Sequence, residues 1–221
     1  MTLKHFLFVL LVAGCSSSSS TAPRPSNVMI SVIEPTGILT GIVNTEVGQF
    51  AARVRDSVTG QFLSGITVNW SISQGAGSLP APTTTTDSIG VATNTMTLDT
   101  HPGPAEITAS LSNGKAVRFT VAAVHGPIAT VQSAVGQLPG VPGGIDTIAV
   151  TVADQYGNPV PQALVHFLTT DGVVRDTVAN TDGSGRAFTQ WFLPVRTGIN
   201  VTATAIVVPL APVNFTTTLA P

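Results

Sequence analysis

One order of short alternating segments occurs twice along the chain, about 95 to 98 residues apart, and any fold has to honour that repeat. The first copy runs Phe50-Ala51-Ala52-Arg53-Val54-Arg55-Asp56, a loop, then Ile66-Thr67-Val68-Asn69-Trp70. The second runs Ile148-Ala149-Val150-Thr151-Val152-Ala153-Asp154, a loop, then Ala163-Leu164-Val165-His166-Phe167. Further along, Thr86-Asp87-Ser88-Ile89-Gly90-Val91-Ala92 matches Thr181-Asp182-Gly183-Ser184-Gly185-Arg186-Ala187. Gly103 with Ala105-Glu106-Ile107-Thr108-Ala109 matches Gly198 with Ile199-Asn200-Val201-Thr202-Ala203. The junction between copies falls near Val124-His125-Gly126-Pro127.

Each block alternates apolar and polar residues with period two, the mark of a half-buried strand. Phe50, Ala52 and Val54 are expected to face inward and Arg53 and Arg55 outward, with Ile148, Val150 and Val152 in the equivalent inward row. Val68 and Trp70 correspond to Val165 and Phe167, so a large ring fills the same core position in each copy. Ala92, Met96 and Leu98 align with Ala187, Trp191 and Leu193. No stretch holds a helical period. Gly60, Gly75 and Gly77, Gly157 with Asn158 and Pro159, and Gly183 with Gly185 mark turns between the strands.

This pattern predicts an all-β chain of two tandem immunoglobulin-like antiparallel β-sandwiches, residues 27–124 and 125–221, with about seven short strands each. Composition agrees. Charged residues make up only 9% and hydrophobic ones 43%, which suits packed sheets rather than disorder. A formal net charge of −2 supplies no electrostatic attraction for nucleic acid.

The second copy, with Val152-Ala153-Asp154-Gln155-Tyr156-Gly157-Asn158-Pro159-Val160 and Thr181-Asp182-Gly183-Ser184-Gly185-Arg186-Ala187, resembles the bacterial Ig-like domains of the invasin and intimin type. Trp191-Phe192-Leu193, Gly198 and Val201-Thr202-Ala203 extend the resemblance. The first copy departs from it, with Asp56-Ser57-Val58-Thr59-Gly60 in place of the turn motif and Met96 where tryptophan is usual. The resemblance implies spacer domains that stack to carry a binding tip, some of which bind ligands directly.

Ahead of the repeat, Lys4 and His5 precede the apolar run of residues 6–12, and Ala13 and Gly14 lead to Cys15, the only cysteine. A positive start, a short apolar core and small residues form a secretory signal peptide, residues 1–14. The run is about half the ~20 residues a spanning helix needs. Val12-Ala13-Gly14-Cys15 resembles the bacterial lipoprotein signal. That resemblance implies lipidation of Cys15, whose acyl chains would hold the protein in a membrane; Ser16, where Asp would mark inner-membrane retention, favours the outer membrane. Residues 15–26, with the serine run and Pro23 and Pro25, read as a lipidated cysteine and a flexible tether reaching at most ~35 Å.

A lone cysteine excludes an intramolecular disulfide and a cysteine-based metal site. His101, His125 and His166 lie far apart in no metal spacing and read as surface or loop residues, His125 in the joint between copies. Asp56, Asp87, Asp154 and Asp182 sit at strand–turn junctions, where Asp normally binds its own backbone amides rather than calcium. No catalytic residue, metal site or cofactor is assigned. The expectation is a non-catalytic stalk or adhesion module whose partner is a protein or cell-surface ligand, its binding residues unknown; loops 155–161 and 171–175 are candidates by position. A carbohydrate-binding module and an accessory subunit of an envelope complex are the alternatives.

Overall fold

The computed structural model describes residues 27–220, and every element within them is a strand. Cys15 and the stretches read as a signal peptide and a tether lie outside the described residues. Nine strands build the first sandwich: β1 (Val28–Glu34), β2 (Leu39–Ile42), β3 (Glu46–Asp56), β4 (Thr67–Gln74), β5 (Gly77–Ser78), β6 (Thr83–Thr85), β7 (Val91–Leu98), β8 (Gly103–Ser110) and β9 (Ala116–Val124). One sheet has the order β1-β3-β7-β5 and the other β2-β9-β8-β4-β6.

Eight strands build the second: β10 (Thr130–Ser133), β11 (Ile145–Ala153), β12 (Leu164–Thr169), β13 (Val173–Val174), β14 (Val178–Asn180), β15 (Arg186–Phe192), β16 (Ile199–Ile206) and β17 (Val213–Leu219). Its sheets run β10-β11-β15-β13 and β14-β12-β16-β17. The surplus over seven per copy comes from pieces two or three residues long, such as Gly77–Ser78 and Val173–Val174, too short to show a period.

The inward rows are where the alternation puts them. Phe50, Ala52, Val54, Val68, Trp70, Ala92, Met96 and Leu98 join one core, and Ile148, Val150, Val152, Val165, Phe167, Ala187, Trp191 and Leu193 the other. Each large side chain so buried is worth about 1.5–3 kcal/mol. Phe119 stands beside Phe50, ring centroids 5.4 Å apart, and stacks on Trp70 at 6.0 Å. Both buried indoles keep a partner: Trp70 Nε1 donates to Thr84 Oγ1 at 2.8 Å, and Trp191 Nε1 to the Asp171 carbonyl at 2.9 Å. Ala51 and Ala149 are buried despite their outward parity, because so small a side chain does not reach past its neighbours.

The copies differ at one edge. In the first, β2 pairs in parallel with β9. In the second, the matching segment carries Gly136, Pro139, Gly140 and Pro142, and a proline has no N–H to give a ladder. It lies along β17 as an irregular strap, held by a bond from Thr217 Oγ1 to the Leu138 carbonyl and one from the Gly140 amide to Asp146 Oδ2, both 3.4 Å.

Candidate functional site

The four junction aspartates fold their own turns. Asp56 Oδ1 accepts from the amides of Val58 and Thr59, at 2.8 and 2.9 Å. Asp87 Oδ1 accepts from Ile89 and Val91, and Asp182 Oδ1 from Ser184 and Arg186. These donors hold Asp56 and Asp182 below the usual carboxylate range, chiefly through the Thr59 amide for the first and the Ser184 hydroxyl for the second. No group of three or more His, Cys, Asp or Glu side chains is gathered for a metal among the described residues.

Asp154 does more. At the end of β11 its Oδ1 accepts from the amides of Tyr156 and Asn158, at 2.8 and 2.9 Å, closing the turn in which Gly157 takes φ +83°. Its Oδ2 accepts from the Gly126 amide and from Asn158 Nδ2, both at 2.8 Å. Gly126 belongs to the segment between the sandwiches, so one carboxylate ties that segment to the second sandwich's first long turn. The residue is 1% exposed. Burial pushes its pKa up, and the donors of Asn158, Gly126 and Tyr156 outweigh burial and leave it below the usual value.

The same turn reaches the first sandwich. Asn158 Nδ2 donates its other proton to the Thr100 carbonyl at 2.8 Å, and Asn44 Nδ2 donates to the Tyr156 hydroxyl at 2.6 Å. Asn44 follows β2 with φ +56°, and its amide bonds the Asp99 carbonyl, which joins the two receiving loops. His125 Nδ1 donates to the Gly126 carbonyl at 2.8 Å within the same joint. Tyr156 and Asn158, both within the candidate loop 155–161, are therefore engaged between the sandwiches. β11 runs toward the joint, so the loop that follows it has to lie there. β12 runs the other way, which places 171–175 at the far end, where Arg196 bonds Asp171 through both carboxylate oxygens.

Of the remaining histidines, His166 is exposed on β12, and His101 is exposed beside Asp99 Oδ2 at 3.4 Å. The Thr100 amide and then the His101 ring hold Asp99 below its ordinary pKa. Both residues rim a groove of about 300 Å³ lined mainly by Gly, Ala and Pro, and the Thr100 hydroxyl lies 3.2 Å from His101 Nδ1.

Residues 43–124 match the family model described as Bacterial Ig-like domain (group 1). The match falls on the first copy, although the turn motif is more complete in the second. Several solved structures are also similar. FdeC, described as an Escherichia coli adhesin, is 16% identical, with 90% of this chain and 65% of that one covered and a TM-score of 0.50. The D0–D1 domain of intimin is 19% identical, with 86% and 97% covered and a TM-score of 0.35. Invasin, described as a bacterial integrin-binding protein, is 22% identical, with 88% and 40% covered and a TM-score of 0.38. No curated protein sequence matches the chain significantly.

Proposed function

We propose that this chain is a lipid-anchored protein of the bacterial cell envelope, and that its two Ig-like domains, 27–124 and 125–221, form a short stiff stalk that binds a protein partner and catalyses no reaction. Residues 1–14 are its signal peptide. Cys15 is its lipidated residue, which holds it in the outer membrane through acyl chains, and residues 16–26 are the tether. Two or three acyl chains, at about 0.8 kcal/mol per buried methylene, anchor durably where one does not.

The observation that carries the reading is the joint. Side chains from one turn bond both the connecting segment and the neighbouring sandwich, as a spacer needs and a flexible pair of beads does not. A polysaccharide-gripping module draws less support, because Trp70 and Trp191 are buried. The anchor is tested with Cys15→Ser, which should abolish labelling by a fatty-acid probe; a labelled variant removes the lipoprotein reading. Protease added to intact cells then reports orientation, since a surface stalk is shaved and one facing the periplasm survives.

A further inference from the structure

At the end of the second sandwich remote from the joint, three strands present an exposed apolar row. Ile145 on β11 pairs with Phe192 on β15, and Phe192 with Val173 on β13. Their side chains are 56%, 40% and 64% exposed. Val141 and Val195, also exposed, extend the patch from two loops that the Gly143 amide joins by a bond to the Pro194 carbonyl at 2.9 Å.

The first sandwich shows what this fold puts in the same place without such a patch. There the register pairs Glu46 with Thr97 and Thr97 with Ser78, a polar row at equivalent positions. Two residues past Ser78 come Pro80 and Ala81; two residues past Val173 come Arg175 and Asp176, adjacent, exposed and of opposite charge. Neither enters an ion pair among the described residues. Asn44, which receives the second sandwich at the joint, is matched at the far end by Gly143, which has no side chain to offer. The far end is therefore not a repeat of the joint surface.

We propose that this end docks on the same end of a second copy of the chain, a claim that rests on the stalk reading above. An apolar row with both charge signs at its margin is complementary to itself: a two-fold axis lays row against row and brings Arg175 of each copy within reach of the other's Asp176. Three to five side chains make a small interface, so single pairs are weak and arrays on a membrane are strong. On the stalk reading the anchors lie at opposite ends of such a pair, and the contact joins two membranes.

The test couples the chain through its single cysteine, Cys15, to phosphatidylcholine vesicles containing a maleimide lipid, and follows clustering by light scattering. Wild-type vesicles should clump. The triple variant Ile145→Glu, Val173→Ser, Phe192→Thr, which carries the first sandwich's own residues, should leave them dispersed, and wild-type vesicles should not clump with variant ones. Arg175→Asp and Asp176→Arg vesicles should each stay dispersed alone and clump when mixed, which tests the pairing even where the triple variant folds poorly. Dispersed wild-type vesicles, or a charge-swapped mixture that stays dispersed, overturn the proposal. Either result leaves the anchor and the joint standing, since fatty-acid labelling and interdomain order read those separately.

Discussion

Asn158 spans the joint: its Nδ2 gives one proton to the Thr100 carbonyl and the other to Asp154 Oδ2, each at 2.8 Å. A single buried amide thus completes a turn in one sandwich and fastens it to the other. Asn158→Ala strands the Thr100 carbonyl and removes a donor from a buried carboxylate, at a cost of about 1–3 kcal/mol to the second sandwich. Tyr156→Phe removes only the exposed bond from Asn44 and should barely move the melting temperature. Both should widen the spread of interdomain angles in small-angle scattering or residual dipolar couplings. An unchanged spread in Asn158→Ala means that the joint is not held by this bond.

Asp154 predicts an acid response. Its folded pKa lies below the ordinary carboxylate value, so the stability it contributes is complete above the unfolded pKa of about 3.9 and is lost as pH falls through the folded one. Asp154→Asn points an amide at donors, the Gly126 N–H or Asn158 Nδ2, and should cost about 1–3 kcal/mol at pH 7. The penalty should begin to shrink below pH ~4, where the unfolded chain's carboxylate protonates, and go on shrinking as the pH falls through the lower folded value. Melting curves of the two proteins across that range check the convergence; parallel profiles sink the assignment.

The turn shared by both copies makes a paired prediction. Gly90 and Gly185 stand at φ +74° and +72°. A Cβ would lie 2.6 Å from the Val54 carbonyl oxygen at the first and 2.5 Å from that of Val152 at the second. Those two strands also donate to the glycines, Val54 N to Gly90 O and Val152 N to Gly185 O, both at 2.8 Å, so the backbone has little room to retreat. Alanine at either site should cost about 2–3 kcal/mol. Gly183→Ala in the same turn meets no atom within 4 Å and should be near neutral, which separates geometry from general loop sensitivity.

The rows around Phe50 and Ile148, the ring exchange of Trp70 for Phe167, and the glycine turns were legible because each is local: a period of two, or a side chain bonding amides two to four residues away. The joint was not. Residues Asp154 to Asn158 read as a complete turn by themselves, and their partners Asn44 and Thr100 stand 112 and 58 residues away with no pattern linking them. The apolar far end was hidden for another reason. Ile145 and Phe192 look like ordinary strand residues until the register sets them beside Val173 and against the polar Glu46–Thr97–Ser78 row.

Asp146 gives a prediction of opposite sign to Asp154. It lies at the start of β11, 4% exposed, and the one hydrogen bond of its side chain among the described residues is the 3.4 Å contact from the Gly140 amide. Burial raises its pKa, and the Gly140 donor offsets only part of that. For a carboxyl whose folded pKa lies above the unfolded one, stability is greatest at low pH and falls as pH rises through the folded value. At neutral pH the charge is therefore a net cost to the fold. Asparagine keeps an oxygen for Gly140 and removes the charge, so Asp146→Asn should stabilise the second sandwich at pH 7 by about 1 kcal/mol, or ~4–8 °C in that domain's Tm. The advantage should vanish below pH ~4, where the wild-type side chain is neutral as well. A variant that melts lower at pH 7 would mean that the ionised carboxylate is needed to pin the strap, and slower hydrogen exchange at the Gly140 amide in the wild type than in the variant would locate that role.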